Sequence, residues 1–303
     1  MKKLHGAVTE MKVNVHVDGG PSLGLGHLSR MRTVAGELSR LGASVFMQGE
    51  SVFASKFIGV ASGVSDLPQV AVIDLPYAAD RLISDYLRKG VPTVVLDHLG
   101  ASVPDVTISV DRKLSRRHGT KHFSGLRYAI IRESLRRKSS RADGAVLVSI
   151  GGSDLLGQSS DAADRLLSLG LSVIAVKGLA ASSPIGTHAT AVEYVKHPEN
   201  FDDLFARSSF VVVNGGTTLL EALHLGKSAF VLPQTSGEES FARRMALRGL
   251  VLGVGLRSLK EPTFSERFWA KGTGPLAVDG LGAPRVARII LNSAHKGADN
   301  RIV

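Results

Sequence analysis

His27 is the residue whose type and setting point most directly to chemistry. It follows Gly24-Leu25-Gly26, and Arg30 lies one helical turn further on. The valines of segment 13–17 alternate with polar residues as in a strand, and helical spacing begins after Gly26. A helix N-terminus disfavours a positive charge, and the glycines leave room for a ligand. These features predict a neutral imidazole that accepts a proton from a bound molecule; the alternative is a histidine that only caps the helix.

The glycine pattern does not match a dinucleotide-binding fingerprint. Ser29 occupies the place of the third glycine, and no acidic residue follows a clean second strand about twenty residues further on. The turn still joins a strand to a helix N-terminus, where open α/β sheets bind ligands through free backbone N–H groups. We therefore predict a ligand site here, but not a dinucleotide site.

Two similar turns occur in the second half of the chain. The strand-like run Ala145–Ile150 ends in Gly151-Gly152-Ser153-Asp154, and the run Phe210–Val213 ends in Asn214-Gly215-Gly216-Thr217-Thr218. Bare N–H groups and threonine hydroxyls at such turns suit a phosphate. Glu221, one turn into the second helix, is placed to accept hydrogen bonds from ribose hydroxyls. The alternative is an ordinary threonine cap with an acidic residue in the first helical turn.

Length and composition predict the fold class and the cellular setting. A chain of 303 residues is long enough for two domains, and its alternating strand and helix patterns predict α/β domains with parallel sheets. The absence of cysteine excludes disulfides and thiolate metal sites and suits a reducing cytoplasm. The first ten residues lack the apolar region of a signal peptide, and no apolar run is long enough to cross a bilayer. We expect a cytoplasmic protein without stable membrane insertion.

The net charge of the chain, +10, equals the net charge of the segment Arg112–Arg141 alone, which holds eleven Lys or Arg and one Glu. Few aromatic residues accompany these cations and no nucleic-acid-binding motif is present, so we predict no nucleic-acid partner. A basic surface that attracts a nucleotide diphosphate is an alternative. We favour a solvated linker for most of these charges. The charged, serine-rich run 136–143 separates a domain at 1–138 from one at 143–303, with 139–142 as the linker. The C-terminal helix is a candidate to pack back on the first domain.

These motifs resemble those of the pseudaminic-acid-pathway nucleotide-sugar hydrolases and their spore-coat polysaccharide relatives. The resemblance runs in order through nearly the whole chain, at Asp18, Gly24–His27, Arg30, Tyr128–Arg132, Gly151–Asp154 and Gly216–Glu221. It implies a glycosyltransferase-B architecture: two Rossmann-like domains with a cleft between them, the first holding the sugar and the second UDP. It also implies metal-independent, inverting hydrolysis of a UDP-linked di-N-acetylated trideoxy sugar, with no cofactor.

The resemblance also implies roles for individual residues. His27 would deprotonate the water that attacks the anomeric carbon, so that the C1–O bond breaks and UDP leaves; Tyr77 is the second catalytic candidate. Arg132 would help to hold the substrate, and Glu221 would bind the ribose. The full set of implied substrate-binding residues is Asp18, Gly26, Arg30, Arg132, Gly152, Ser153, Asp154, Asn214, Gly216, Thr217, Thr218, Glu221 and Glu239.

Two positions depart from the family pattern. The family's Asp-His-Tyr-Gly is Asp74-Leu75-Pro76-Tyr77 here, and an expected active-site asparagine is replaced by Gly237. Both changes concern the sugar side of the site. Two other functions are therefore kept: a UDP-sugar transferase of the same fold, which passes the sugar to an acceptor hydroxyl, and a nucleotide-sugar or nucleic-acid binding protein without turnover.

Overall fold

The structure is a computed structural model. It describes residues 11–58, 65–66, 68–110, 120–141, 144–152, 154–178, 192–196, 199–261, 263–264 and 276–299. Ser153, residues 112–119 of the basic segment and linker residue 142 lie outside this described part.

Within these described residues, eleven strands form two sheets. In chain order they are β1 (Lys12–Val17), β2 (Ser44–Gly49), β3 (Val70–Asp74), β4 (Thr93–Leu96), β5 (Val106–Ser109), β6 (Lys121–Ser124), β7 (Val146–Ser149), β8 (Val173–Lys177), β9 (Val192–Lys196), β10 (Phe210–Val213) and β11 (Ala229–Val231). The first sheet has the order β2-β1-β3-β4-β5-β6 and the second the order β11-β10-β7-β8-β9, and every pair is parallel.

Helices alternate with these strands. They are α1 (Gly26–Arg40), α2 (Val52–Ile58), α3 (Asp80–Arg88), α4 (Glu133–Arg136), α5 (Gln158–Leu167), α6 (Phe201–Arg207), α7 (Thr217–His224), α8 (Ser236–Leu247), α9 (Leu256–Lys260) and α10 (Gly282–Asp299), with a short 3-10 helix at Leu126–Tyr128. Two parallel sheets with intervening helices confirm the predicted α/β class.

The chain divides into two compact units. The first comprises Met1–Asp18, Met31–Ser124 and Ala283–Val303, and the second comprises Gly19–Arg30 and Gly125–Gly282. In the first unit, β3 and β4 are buried along their whole length, which explains their continuous apolar sequences. In the second, Phe210 and Phe230 both meet Phe264 edge to face, with ring centroids 6.1 and 5.3 Å apart.

Strand order defines the point in each sheet at which the direction of strand addition reverses. In the first sheet the chain passes from β1 to β2 on one side and then to β3 on the other; in the second, β7 and β10 flank the corresponding point. Parallel sheets bind ligands beyond the carboxyl ends of strands at such reversals. The predicted site turns follow β1, β7 and β10, and Tyr77 follows β3. The topology therefore places them at these reversals.

Some elements differ from the sequence prediction. Strand β6 was not predicted, because three of its four side chains are exposed and it lacks an apolar pattern. Helix α8 begins at Ser236, because Thr235 caps it by accepting a hydrogen bond from Glu238 N at 3.2 Å. Glu239 is consequently a helical residue.

Candidate functional site

The turn before His27 is tightly closed by its glycines. Gly20 and Gly24 exchange two backbone hydrogen bonds, of 2.9 and 2.8 Å. Gly24 has a φ of +77°, and a Cβ on Gly19 would lie 2.7 Å from Leu28 Cδ1, so neither position tolerates a side chain without strain. Helix α1 starts at Gly26, which makes half-buried His27 its second residue.

Arg30 forms a hydrogen bond with the His27 ring, with its Nη2 atom 3.2 Å from His27 Nδ1. A guanidinium can only donate, so Nδ1 is the acceptor and the neutral ring carries its proton on Nε2. The predicted substrate ligand Arg30 is thus brought directly to the predicted base. A proton can reach Nδ1 only after this hydrogen bond has opened.

The segment Gly19–Arg30 belongs to the second compact unit. A Cβ on Gly26 would lie 3.5 Å from Thr217 Oγ1, and one on Gly152 would lie 2.8 Å from Leu25 Cγ. The turn that carries His27 therefore meets both glycine turns of the second sheet. We call the three segments Gly24–His27, Gly151–Gly152 and Asn214–Thr217 the glycine cluster.

Glu238 is a residue of this region that sequence reasoning missed. Asn214 Nδ2 donates to its Oε1 at 2.6 Å, and Gln234 N donates to its Oε2 at 2.7 Å. Burial raises the pKa of Glu238, against the opposing effect of hydrogen bonds from Gln234, Asn214 and Gly215. The spacing Thr235-x-x-Glu238 was the available signal, since it is that of a capping box. The predicted Glu239 instead pairs at the surface with Arg243, at 2.6 Å.

Asn214 leaves one polar atom without a partner. Within the described residues its Oδ1 is buried and accepts no hydrogen bond. Its amide lies beside Gly151, whose Cβ, if present, would be 3.2 Å from Nδ2. A buried acceptor between two glycine turns is suited to a hydroxyl or N–H donor of a ligand.

Arg132, whose side chain is 30% exposed, forms an ion pair with buried Glu221. Arg132 Nε donates to Glu221 Oε1 at 2.7 Å and Nη2 donates to Oε2 at 2.8 Å, while Nη1 reaches Asp202 Oδ1 at 3.3 Å. Burial alone would lower the pKa of Arg132, but the charges of Glu221 and Asp202 raise it. Glu221 is 2% exposed. Both oxygens predicted to accept from ribose are thus occupied by a guanidinium in this conformation.

The Asp154 side chain is hydrogen-bonded to the first residues of helix α5. Its carboxylate accepts from Gln158 N at 2.9 Å and from Ser159 N and Oγ at 3.2 and 2.6 Å, and it is 5% exposed. This is an N-terminal helix cap rather than an open ligand contact.

Thr217 and Thr218 are the first two residues of α7. Of the basic segment, Arg137 and Lys138 pair with Glu133 and Asp203.

At the edge of the first sheet, Tyr77 donates from its hydroxyl to Asp18 Oδ2 at 2.9 Å. Asp18 is 4% exposed and Tyr77 is 42% exposed. Burial, together with the hydrogen bond to Asp18 and the charges of Asp18 and Glu50, raises the pKa of Tyr77, so the phenol stays a donor. The two predicted residues therefore meet, despite the altered motif around Tyr77.

Two further properties concern only the described part of the chain. No group of three or more His, Asp or Glu side chains there is arranged to hold a metal ion. None of its helices is both long and apolar enough to cross a membrane.

No protein-family model matches the sequence, and no curated protein is significantly similar to it. Solved structures do match. A glycosyltransferase of kitacinnamycin aligns over 94% of this chain and 99% of its own, with a TM-score of 0.65 and 13% identity. The spinosyn rhamnosyltransferase SpnG, solved with thymidine diphosphate, aligns over 96% and 99%, with a TM-score of 0.61 and 13% identity. MnaA of S. aureus, solved with UDP, aligns over 93% and 97%, with a TM-score of 0.55 and 11% identity.

Such identities establish the fold alone. Two parallel Rossmann-like sheets, matched over nearly the whole chain by these structures, show that the protein has an α/β fold of glycosyltransferase-B architecture.

Proposed function

We propose that this protein is an enzyme that binds a nucleoside-diphosphate sugar and transfers its glycosyl group to an acceptor hydroxyl. The observation that carries this proposal is the glycine cluster, in which the His27 turn meets the two glycine turns of the second sheet. Two solved structures with this fold are glycosyltransferases, and one of these, SpnG, was solved with thymidine diphosphate. A third structure with this fold, MnaA of S. aureus, was solved with UDP.

The glycine cluster supplies what a diphosphate needs. Turns without side chains let the backbone N–H groups approach the phosphate oxygens, and the N-termini of α1 and α7 favour negative charge. Thr217 and Thr218 add hydroxyl donors. The same groups stabilise the charge that develops on the diphosphate as it leaves.

His27 would act as the general base. It removes the proton from the acceptor hydroxyl as the acceptor oxygen bonds to the anomeric carbon, and the C1–O bond breaks with its electron pair passing to the diphosphate. Because Arg30 holds Nδ1, ligand binding would have to draw this guanidinium away, for which a phosphate is a suitable anion. Asn214 Oδ1 would accept from a ligand hydroxyl.

Hydrolysis is the second candidate. The motif order resembles that of the pseudaminic-acid-pathway hydrolases, for which water replaces the acceptor and the donor is a UDP-linked di-N-acetylated trideoxy sugar. Both reactions share the nucleotide site and the base, so only the acceptor distinguishes them.

The test begins with calorimetric titration of UDP and thymidine diphosphate into the purified protein. UDP release is then measured from UDP-2,4-diacetamido-2,4,6-trideoxy-β-L-altropyranose, alone and with added sugar acceptors. Release that requires an acceptor supports transfer, and release without one supports hydrolysis. Absence of nucleotide binding would contradict both functions.

His27→Asn should lower kcat about 10²- to 10⁴-fold, the usual contribution of a general base, and leave UDP affinity unchanged. His98→Gln is the matched control, since His98 is a buried histidine whose Nε2 lies 2.8 Å from the Ser102 carbonyl oxygen. Full activity in His27→Asn would place the base elsewhere.

A further inference from the structure

A buried chain of polar side chains crosses the core of the first unit, and the proposed reaction makes no use of it. Asn14 and His16 lie on β1, Tyr86 lies on α3, and Glu50 follows β2. Asn14, His16 and Tyr86 are 1%, 4% and 8% exposed. Polar groups at this depth are unfavourable unless each one is hydrogen-bonded, so their pairing is informative.

The first link fixes the Asn14 amide. Its Oδ1 accepts from Ser65 N at 2.8 Å, and its Nδ2 donates to Ser65 O at 3.0 Å. The oxygen and nitrogen of the amide are thereby distinguished. Nδ2 therefore donates its second proton to Tyr86 Oη, at 3.2 Å.

The remaining links follow in one direction. Since Tyr86 Oη already accepts from Asn14, its own proton is directed to His16 Nε2, at 2.8 Å. The other ring nitrogen of His16, Nδ1, then carries the proton and donates to Glu50 Oε1 at 3.0 Å. Every donor in the chain thus points towards the Glu50 carboxylate.

A neutral His16 is the state that completes this chain. A protonated ring would donate from Nε2 as well, and the Tyr86 proton would lose its acceptor. Burial lowers the pKa of His16 despite the hydrogen bond and charge of Glu50. The other charged or titratable groups around the chain are Asp18 and Tyr77 near Glu50, and Lys89, whose Nζ lies 6.0 Å from the Tyr86 ring centre.

The chain of polar side chains leaves the core at the edge of the first sheet where we expect a ligand to bind. Glu50 N donates to Val17 O at 3.2 Å, and Val17 pairs with Gly49 on one side and Asp74 on the other. Glu50, Asp18 and Tyr77 thus follow three neighbouring strands at the same edge. The Glu50 side chain is 30% exposed, whereas that of His16 is 5% exposed.

We propose that Glu50 is a ligand-binding carboxylate that accepts a hydrogen bond from a hydroxyl or amide N–H of a sugar bound at this edge of the first sheet, and that His16 and Tyr86 are positioning residues that hold it in place. This inference rests on the proposed function. A carboxylate that is only solvated at the surface needs no fixed orientation. A carboxylate that binds a ligand, in contrast, must be held by supporting hydrogen bonds. The neutral donor of His16 fixes one oxygen and leaves the charge of Glu50 available.

The test uses UDP-2,4-diacetamido-2,4,6-trideoxy-β-L-altropyranose as the donor and UDP as the nucleotide probe, with the full chain. Glu50→Gln should raise the KM for the donor at least about tenfold with kcat within about twofold, since a contact made equally in ground and transition states acts on KM alone. The Kd for UDP should not change. Tyr86→Phe and His16→Gln should raise the same KM by a smaller factor.

Asp85→Asn is the matched control, because Asp85 precedes Tyr86 on α3 and pairs at the surface with exposed Arg88. Nitrogen-15 NMR of the histidine side chains adds a measurement independent of activity: His16 should be the Nδ1–H tautomer in the wild type and lose this preference in Tyr86→Phe. If UDP binds and the donor turns over but Glu50→Gln keeps the wild-type KM, the inference is overturned while the proposed function stands. If neither UDP nor thymidine diphosphate binds, both the proposed function and this inference fail.

Discussion

The edges of the two sheets at which the predicted site residues lie carry different chemical groups. At the first, side chains dominate: Asp18 accepts from Tyr77, and Glu50 is held by His16. At the second, the backbone dominates, in the turns Gly151–Gly152 and Asn214–Thr217. Backbone N–H groups suit phosphate oxygens, whereas oriented carboxylates suit hydroxyl and amide donors. The two sheets thus present different hydrogen-bonding groups at equivalent positions.

The units also bury charge differently. The second holds an ion pair between Arg132 and Glu221, in which burial raises the pKa of the Glu221 carboxyl. The first holds a chain that is neutral up to Glu50, where it reaches solvent. A buried ion pair depends on both partners, whereas a neutral chain loses one hydrogen bond at a time. The two units should therefore respond unequally to single substitutions.

The largest expected effect is from Arg132→Ala. It leaves Glu221, which is 2% exposed, as an uncompensated buried carboxylate. The free energy of unfolding should fall by about 3–5 kcal/mol, measured by urea denaturation. In contrast, Arg137→Ala removes an exposed pair with Glu133 and should change stability by about 0.5 kcal/mol or less. Equal effects from the two variants would mean that the buried pair is not ionised.

A smaller effect is expected from Gly178→Ala in the second unit. The added Cβ would lie 2.3 Å from Gly152 O, and backbone atoms cannot yield as a flexible side chain can. We expect a loss of about 1–3 kcal/mol in unfolding free energy, as for other overpacked sites, together with weaker UDP binding because the Gly151–Gly152 turn shifts. Urea denaturation measures the free energy of unfolding, and calorimetric titration measures the UDP affinity.

Gly36→Ala is the control for Gly178→Ala. Its Cβ meets nothing within 4 Å, and it should stabilise helix α1 by about 0.5–1 kcal/mol without affecting UDP. Unchanged UDP affinity in Gly178→Ala would separate the Gly151–Gly152 turn from the nucleotide site.

The smallest effect is on the pH dependence of stability, where the two units should show opposite signs. The pKa of His16 is lowered by burial from 6.5, so the unfolded chain binds this proton first and stability falls as pH drops through the lowered value. The pKa of Glu238 is raised by burial from 4.5, so its contribution is lost as pH rises through the raised value. Chemical denaturation from pH 4 to 8 should show His16→Gln removing the first slope and Glu238→Gln the second. Slopes of the same sign would contradict the burial of one group.

Much of the fold could be predicted because its signals are local. The valines of β1 and the glycines that follow it lie within fifteen residues of one another, and backbone conformation depends on such neighbours. Glu238 was missed in favour of Glu239, because adjacent residues on a helix point in different directions and only the start of α8 at Ser236 decides between them. The partner of Glu221 was also beyond prediction, since Arg132 is 89 residues away.

The sequence by itself determined two parallel sheets and the turns that end their strands, because alternating β-branched residues and glycines restrict the backbone locally. Only the tertiary structure decided which side chains meet there. The order β2-β1-β3 brings Glu50, Asp18 and Tyr77 to one edge, and the fold brings His16 within reach of Tyr86, 70 residues later. Such partners are chosen by strand order and packing, which no contiguous stretch of residues contains.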